Sequence, residues 1–194
     1  PECVSALTGP EADGTAGDEI LGGRREGRSV WLTFFDGGEA VERWSAEDGM
    51  YGSRAFSAHL VDSGEMDAVD AQINLDMVAD RYLGIHPDRG APDYLREIIW
   101  RTARDLGYGR HFLAAGGGLA EDGHIPFRKS GIPAIHLADL SYGGSAVEHR
   151  RYFRTAADTL EKTGWESLQA VGDVLYAVLP ELDAVLDRLG SEAE

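Results

Sequence analysis

Short β-favouring runs alternate along this chain with helical patterns, and this alternation constrains its fold more than any other feature. The runs lie at residues 30–35, 71–78 and 132–137, and turn residues bound the first of them. The first run favours β-structure and is stopped by Asp36-Gly37-Gly38, which predicts a strand buried on both faces. Pro133 lacks a backbone N–H, so the third strand is expected where one ladder hydrogen bond can be spared.

Two longer segments carry apolar residues at helical spacing. Residues 95–106 form one such pattern and predict an amphipathic helix. The second pattern covers residues 168–189 and predicts a long terminal helix, kinked at Pro180. Thr163 and Glu166 have the spacing of a capping box, which places the start of this helix at Thr163.

Strands that alternate with helices predict an α/β fold with a mixed, largely parallel β-sheet flanked by helices. The 194 residues are enough for one ordinary domain, which we place at residues 30–194. Residues 1–29 are rich in glycine and charge and show little periodicity, so we expect a loop-rich N-terminal arm there.

Composition excludes several classes of partner. The net charge of −16 repels phosphate backbones, so nucleic acid is not an expected partner. No run of about 18 apolar residues predicts a membrane span, and we expect a soluble domain. The single cysteine, Cys3, allows no internal disulfide. These features fix neither the compartment nor the oligomeric state.

Acidic side chains follow the predicted strands, where ligands usually bind in α/β sheets. The residues at or just past the three strand ends are Asp36, Glu39, Asp76, Asp80, His136 and Asp139. Converging carboxylates with a histidine suit a divalent metal, while solvated loop acids remain the alternative. Asp76 lies within an apolar run, so its carboxylate needs a metal or hydrogen bonds. A histidine within a strand, such as His136, is more often a satisfied core residue.

Several segments resemble one known family in order along the chain. Residues 34–40, FFDGGEA, resemble its FFDGEEA segment, and residues 74–77 match its NLDM. Further matches are Trp44, Asp48 and YGSR at 51–54, EDGHIPF at 121–127 and GIPAI at 131–135. Residues 153–162, FRTAADTLEK, resemble the family's WHTAEDTLDK. On these motifs the chain resembles metallopeptidase family 28, the zinc aminopeptidases and glutaminyl cyclases.

The resemblance implies a zinc-aminopeptidase-like α/β fold, one or two zinc ions and a peptide N-terminus as substrate. It implies Asp13, Glu39 and Asp76 as metal ligands, although Asp13 also reads as a turn residue. It also implies that Asp122 and His124 belong to the substrate pocket, and we expect His124 to anchor its loop by hydrogen bonds.

Three positions depart from the family pattern. Gly38 replaces the glutamate that serves the family as general base and acid, and Gly123 replaces a neighbouring relay acid. Arg154 replaces a histidine ligand, and a guanidinium offers no lone pair to a metal. We therefore expect weak zinc binding and a pair between Arg154 and Glu39 or Asp76.

Three functions follow from these departures. The chain is interpreted as a zinc peptidase or glutaminyl cyclase relative with impaired or lost activity, since its catalytic acids are not intact. The alternatives are a non-catalytic module that binds a peptide N-terminus and an incomplete fragment of an active enzyme. The fragment is suggested because the family's upstream histidine and aspartate segment has no counterpart here, so the fold is expected to be incomplete at its N-terminus. His149 is a candidate substitute ligand, although a solvated loop histidine is the commoner case.

Overall fold

The structure is a computed structural model, and it describes residues 4–6, 28–117, 120–143 and 152–192. The chain divides into two compact units, residues 1–64 and 65–194. Each unit is described by itself.

The first unit contains a small antiparallel sheet and one helix. Strand β1 (Val4–Ala6) pairs with β2 (Thr33–Phe35), with Val4 opposite Phe35. The prediction of a strand buried on both faces is wrong, because Leu32 is 73% exposed and Phe34 64% exposed. A two-stranded sheet of such short strands leaves much of their apolar surface uncovered.

Helix α1 (Tyr51–Ser63) follows β2 after a loop and has no counterpart among the predicted helices. Its buried positions are Gly52, Ser53, Ser57 and Leu60, so small and polar residues occupy most of the face that packs inward. Hydrophobic periodicity cannot indicate a helix of this kind. The helix ends at Gly64, whose φ of 75° suits glycine and whose N–H donates to the last turn.

The second unit is built on two parallel strands, β3 (Gln72–Asp76) and β4 (Ala134–Ala138). Their register places Asn74 opposite His136 and Asp76 opposite Ala138. β3 falls within the predicted run at 71–78, and β4 extends one residue past the predicted run at 132–137. With one antiparallel and one parallel pair among the described residues, and helices against them, the predicted mixed α/β class is confirmed.

Two helices supply most of the core of the second unit. Helix α2 (Asp93–Asp105) confirms the predicted amphipathic helix, and α4 (Trp165–Glu192) confirms the terminal one. Between them in sequence lies the short helix α3 (Ile125–Lys129), and single 3-10 turns cover Met66–Ala68 and Leu160–Lys162. The core residues with no more than 1% exposure include Ile85, Leu95, Ile99, Ala103, Ile135, Leu137, Val174 and Val178.

The start of α4 differs from the capping-box prediction. The first helical residue is Trp165, two positions after Thr163, and the Thr163 hydroxyl donates to the carbonyl of Leu160 at 2.8 Å. Thr163 therefore closes the preceding turn rather than capping the helix. Pro180 lies inside α4, as predicted. Among the described residues, no helix is long and apolar enough to cross a membrane.

Candidate metal and proton-transfer site

Three side chains meet beside the parallel strand pair. Asp76 is the last residue of β3, His136 is the central residue of β4, and Asp122 precedes α3. Ligand atoms of the three residues all lie within 4.8 Å of one another, and His136 Nε2 is 3.8 Å from Asp122 Oδ2. A sheet edge thus gathers two carboxylates and an imidazole.

The hydrogen bond from Asn74 determines the tautomer of His136. Asn74 Nδ2 lies 2.9 Å from His136 Nδ1, and an amide nitrogen donates, so Nδ1 accepts. The neutral ring then carries its hydrogen on Nε2, the nitrogen nearest Asp122. To bind a metal through Nε2, the ring must carry its hydrogen on Nδ1, and the Asn74 amide must present its oxygen instead.

A buried ion pair supports the strand that carries His136. Asp88 Oδ2 accepts the backbone N–H of His136 at 3.0 Å and Arg128 Nη2 at 2.6 Å, while Oδ1 accepts Gly90 N–H at 2.8 Å. Burial alone would raise the pKa of Asp88, but Arg128 and the two backbone donors outweigh it and lower that pKa. Asp88 is therefore ionised at neutral pH.

His124 lies fully buried against His136. The two rings stack with centroids 4.8 Å apart and planes 10° apart. The expectation that His124 anchors its loop by hydrogen bonds is wrong, because neither ring nitrogen has a partner among the described residues. Burial, together with the nearby His136, lowers the pKa of His124 from 6.5 to about 4, so the ring is neutral at pH 7.

This buried neutral imidazole makes stability depend on pH. The unfolded chain binds a proton at His124 near pH 6.5, whereas the folded chain binds it only near pH 4. We expect the free energy of unfolding to keep the full contribution of neutral His124 above about pH 6.5. It should fall by about 3 kcal/mol as the pH decreases toward 4. Urea titrations at a series of pH values, with a chelator present, measure this loss.

His124→Phe should flatten that pH dependence, because phenylalanine keeps the stacked ring without the titrating group. His59→Gln is the matched control, since His59 is exposed on α1 and should leave the profile unchanged. A wild-type profile that stays level down to pH 4 would contradict the expectation.

The other residues of the predicted site are placed as follows. Asp13 and His149 lie outside the described residues. Glu39 is exposed in the loop between β2 and α1, and it belongs to the first unit, whereas Asp76 and Arg154 belong to the second. The predicted pair between Arg154 and Glu39 or Asp76 stays a prediction.

Two of the three departures have a clear local geometry. Arg154 has a left-handed φ of 58°, and its guanidinium carbon lies 4.9 Å from the centre of the Phe153 ring. A Cβ added at Gly38 would meet no atom within 4 Å, so a side chain fits there.

The third departure, Gly123, lies beside a retained acid. The carboxylate next to His136 belongs to Asp122. The N–H of Gly123 donates to Asp122 Oδ1 at 2.6 Å. The side chain of Asp122 is 26% exposed while His124 is fully buried, which makes Asp122 the more accessible of the two predicted pocket residues.

Two of the strand-end acids hold loops instead of contributing to this cluster. Asp139 accepts N–H groups of Gly84 and Ser141, each at 2.8 Å. Asp80 accepts N–H groups of Tyr82 at 3.0 Å and Gly143 at 2.8 Å. Burial raises the pKa of Asp139, although its two backbone donors act in the opposite direction.

Sequence reasoning singled out neither Asn74 nor the pair Asp88 and Arg128. It placed His136 among the strand-end candidates for a metal, although it favoured a satisfied core residue. A signal existed for Asn74, since a polar side chain within a buried strand must find a partner.

The donor set is chemically suitable for zinc. Two carboxylate oxygens and one imidazole nitrogen are ligand types that zinc accepts, and three protein ligands leave a position for water or substrate. Asp76, Asp122 and His136 are the described residues that could hold such an ion.

Known proteins are similar to this chain in sequence and in fold. Residues 20–179 match the model of peptidase family M28. The bovine glutaminyl-peptide cyclotransferase is 30% identical over an alignment of 129 residues that covers 56% of this chain and 36% of that protein. The chain thus spans well under half the length of this curated relative.

Two solved structures are similar in fold. A glutaminyl cyclase from an Acidobacteriales bacterium superposes with a TM-score of 0.76 at 32% identity, covering 81% of this chain and 54% of that one. A Zn-dependent exopeptidase from Parabacteroides distasonis gives a TM-score of 0.60 at 26% identity, covering 71% and 48%. The family model matches most of this chain, so the chain belongs to peptidase family M28.

Proposed function

We propose that this chain is part of a protein that acts on the N-terminal residue of peptides with the help of zinc, and that its own activity is impaired. The observation that carries the proposal is the meeting of Asp76, Asp122 and His136 beside the parallel strands. Support also comes from the cyclases and the exopeptidase to which the chain is similar.

The two reactions of such proteins make the same demand on the site. In cyclisation the α-nitrogen of an N-terminal glutamine attacks its own side-chain amide carbon, and ammonia leaves. In hydrolysis a water attacks the first peptide carbonyl, and an amine leaves. In both reactions a proton leaves the nucleophile and a proton reaches the departing nitrogen. Carboxylates that lie within reach of each other can accept the first proton and donate the second.

The cluster can hold and orient these protons. Asp122 is partly exposed, so it can contact a substrate, and His136 behind it is neutral at pH 7 because burial lowers its pKa. Asn74 orients the His136 ring through the 2.9 Å contact of its Nδ2 with His136 Nδ1. Zinc, when bound, would supply a Lewis acid that polarises the reacting carbonyl.

The proposed impairment rests on positions 38 and 154. Gly38 carries no group that could accept a proton, and the Arg154 guanidinium stays protonated and cannot coordinate zinc. The second candidate is a module that binds peptides without turnover. The arginine at position 154 in place of the family's histidine favours it. In that case Asp76 and Asp122 would pair with the ammonium of a peptide N-terminus.

The test uses the whole chain, purified and dialysed against a mild chelator. We expect substoichiometric zinc by elemental analysis, and slow or undetectable cyclisation of a glutaminyl peptide and release of an aminoacyl chromophore when zinc is supplied. Stoichiometric zinc with rapid turnover would contradict the impairment.

A matched pair of variants tests the peptide binding that both candidates require. Asp122→Asn should weaken binding of a peptide with a free N-terminus, whereas Glu121→Gln, an exposed neighbouring acid, should not. Calorimetry that shows no peptide binding and no zinc binding at any concentration would remove both candidates.

A further inference from the structure

An apolar stripe runs along α4 beside the face that packs in the core. Trp165 is 71% exposed, Leu168 51% and Tyr176 49%. Gly172 is also exposed and Leu179 is partly exposed. With 3.6 residues per turn, these five positions lie within about 80° of one another around the helix and cover about 21 Å of its length. A contiguous exposed patch of large apolar side chains marks an interaction surface.

Two more large apolar side chains lie beside the start of this α4 stripe. Leu160, in the 3-10 turn before α4, is 87% exposed, and Tyr82 is 84% exposed. The two segments that carry them are joined by the backbone, since Arg81 N–H donates to Lys162 O at 2.9 Å. The apolar surface at this end is therefore held in place by the main chain.

Gly172 lies at the centre of the stripe, where the packing of the chain itself does not require glycine. A Cβ built at this position meets no atom within 4 Å. Glycine inside a helix destabilises the helix relative to alanine, so its presence here needs another reason. An exposed glycine lets the backbone of a second helix approach closely.

The large side chains of the stripe are arranged symmetrically about Gly172. Leu168 and Tyr176 lie four residues to either side of it, and Trp165 and Leu179 lie seven residues to either side. In an antiparallel pair of identical helices, residues at equal distances on opposite sides of the two-fold axis face each other. With Gly172 on the axis, Trp165 faces Leu179 of the second copy and Leu168 faces its Tyr176. The stripe is thus complementary to itself.

The two ends of the stripe differ in charge. Lys162 and Arg81 lie side by side at the first end, with two exposed glutamates nearby. Asp183 and Asp187 lie beyond the other end, and that end is acidic. A parallel pair of helices would bring the two acidic ends together, whereas an antiparallel pair places each acidic end beside the lysine and arginine of the other copy.

We propose that two copies of this chain pair through the α4 stripe, antiparallel and with Gly172 at the crossing point. A second copy fits the stripe because both halves of the match, apolar and charged, are present on one helix. The interface lies within the second unit, and it does not depend on the proposed enzymatic activity.

Sedimentation equilibrium of the full chain measures the association. We expect a species of twice the 21.0 kDa mass of the chain, in a proportion that rises with concentration. A chain that stays monomeric up to about 1 mM would overturn the proposal and leave the stripe to a partner of another kind.

Gly172→Gln tests the crossing point, with Ala177→Gln as the matched control. A side chain at the crossing keeps the two helices apart, so Gly172→Gln should weaken association by about 10-fold or more. Ala177 is exposed and lies about 140° around α4 from Gly172, so the same residue placed there should leave association unchanged.

Monomer stability separates a lost interface from a damaged fold. Glutamine is a better helix former than glycine, so Gly172→Gln should unfold at the same temperature as the unmodified chain or above it, when both are diluted to monomers. A dimer that Gly172→Gln does not weaken would show that the copies meet elsewhere, and the proposal would be wrong.

Charge exchange tests the antiparallel orientation. Lys162→Glu and Asp183→Lys should each weaken association by about 5-fold, because each contact occurs twice in a two-fold dimer. The double variant exchanges the charges of the two ends within one chain, so it should restore association to near that of the unmodified chain. A double variant as weak as the two single variants, or weaker, would overturn the antiparallel arrangement.

Discussion

Arg154→His is expected to tighten zinc binding by about 100-fold at neutral pH. Structural zinc sites with four ligands have apparent binding free energies of about 10–16 kcal/mol, so one added ligand is worth about 3 kcal/mol. The change also removes a fixed positive charge that would repel the ion. The backbone accepts it, because residue 154 has a φ of 58° and histidine is enriched among residues in that left-handed region. Calorimetry with zinc, before and after the change, measures the gain.

Arg154→Gln is the control that separates charge from coordination. It removes the guanidinium without supplying an imidazole, so it should give only a small part of the gain. Equal affinity in the glutamine and histidine variants would mean that residue 154 does not bind the metal.

Turnover should need a second change, Gly38→Glu, for which the structure leaves open space. A base and a Lewis acid act together, so the double variant should exceed the sum of the single variants in both the cyclisation and the aminopeptidase assay. Strong turnover from Gly38→Glu alone would show that Arg154 is no obstacle.

Arg128→Met is expected to destabilise the chain by about 3–5 kcal/mol. Its guanidinium pairs at 2.6 Å with Asp88, whose side chain is 4% exposed, and removing one partner of a buried pair leaves an uncompensated charge. The two backbone donors to Asp88 would remain, but no positive charge. Urea unfolding at pH 7 measures the loss.

Arg101→Met is the matched control for that measurement. Arg101 pairs with Glu181 at the surface, where both side chains are more than 40% exposed. Exposed pairs of this kind contribute about 0–1 kcal/mol. Similar losses of unfolding free energy in the two variants would show that burial does not determine how much the pair of Arg128 and Asp88 stabilises the chain.

Periodicity predicted the parts of the fold that bury apolar side chains regularly. The helices α2 and α4 follow from it, and the parallel strands follow from short β-favouring runs. Periodicity failed for α1, whose buried face is mostly glycine and serine. The first strand was placed correctly, but its predicted burial is wrong, because its apolar side chains stay exposed.

The site was predictable only where one residue was informative by itself. Asp76 stands out as an acid in an apolar strand, and the resemblance marks Asp122. The partners of His136 could not be read in this way, since Asn74 and Asp88 lie 62 and 48 residues away in sequence. Contacts across such separations are set by strand register and loop paths, which periodicity does not encode.

The pleat of the two parallel strands places the polar side chains and the core side chains on opposite faces. Asn74, Asp76 and His136 lie on one face of the pair, while Ile73, Ile135 and Leu137 on the other face pack in the core; Leu75 on that face is exposed. Substitutions on the polar positions therefore alter reactivity with little loss of apolar burial, and those on the intervening positions do the reverse. The chemistry of the cluster can thus change by substitution while the backbone and its apolar core stay as they are.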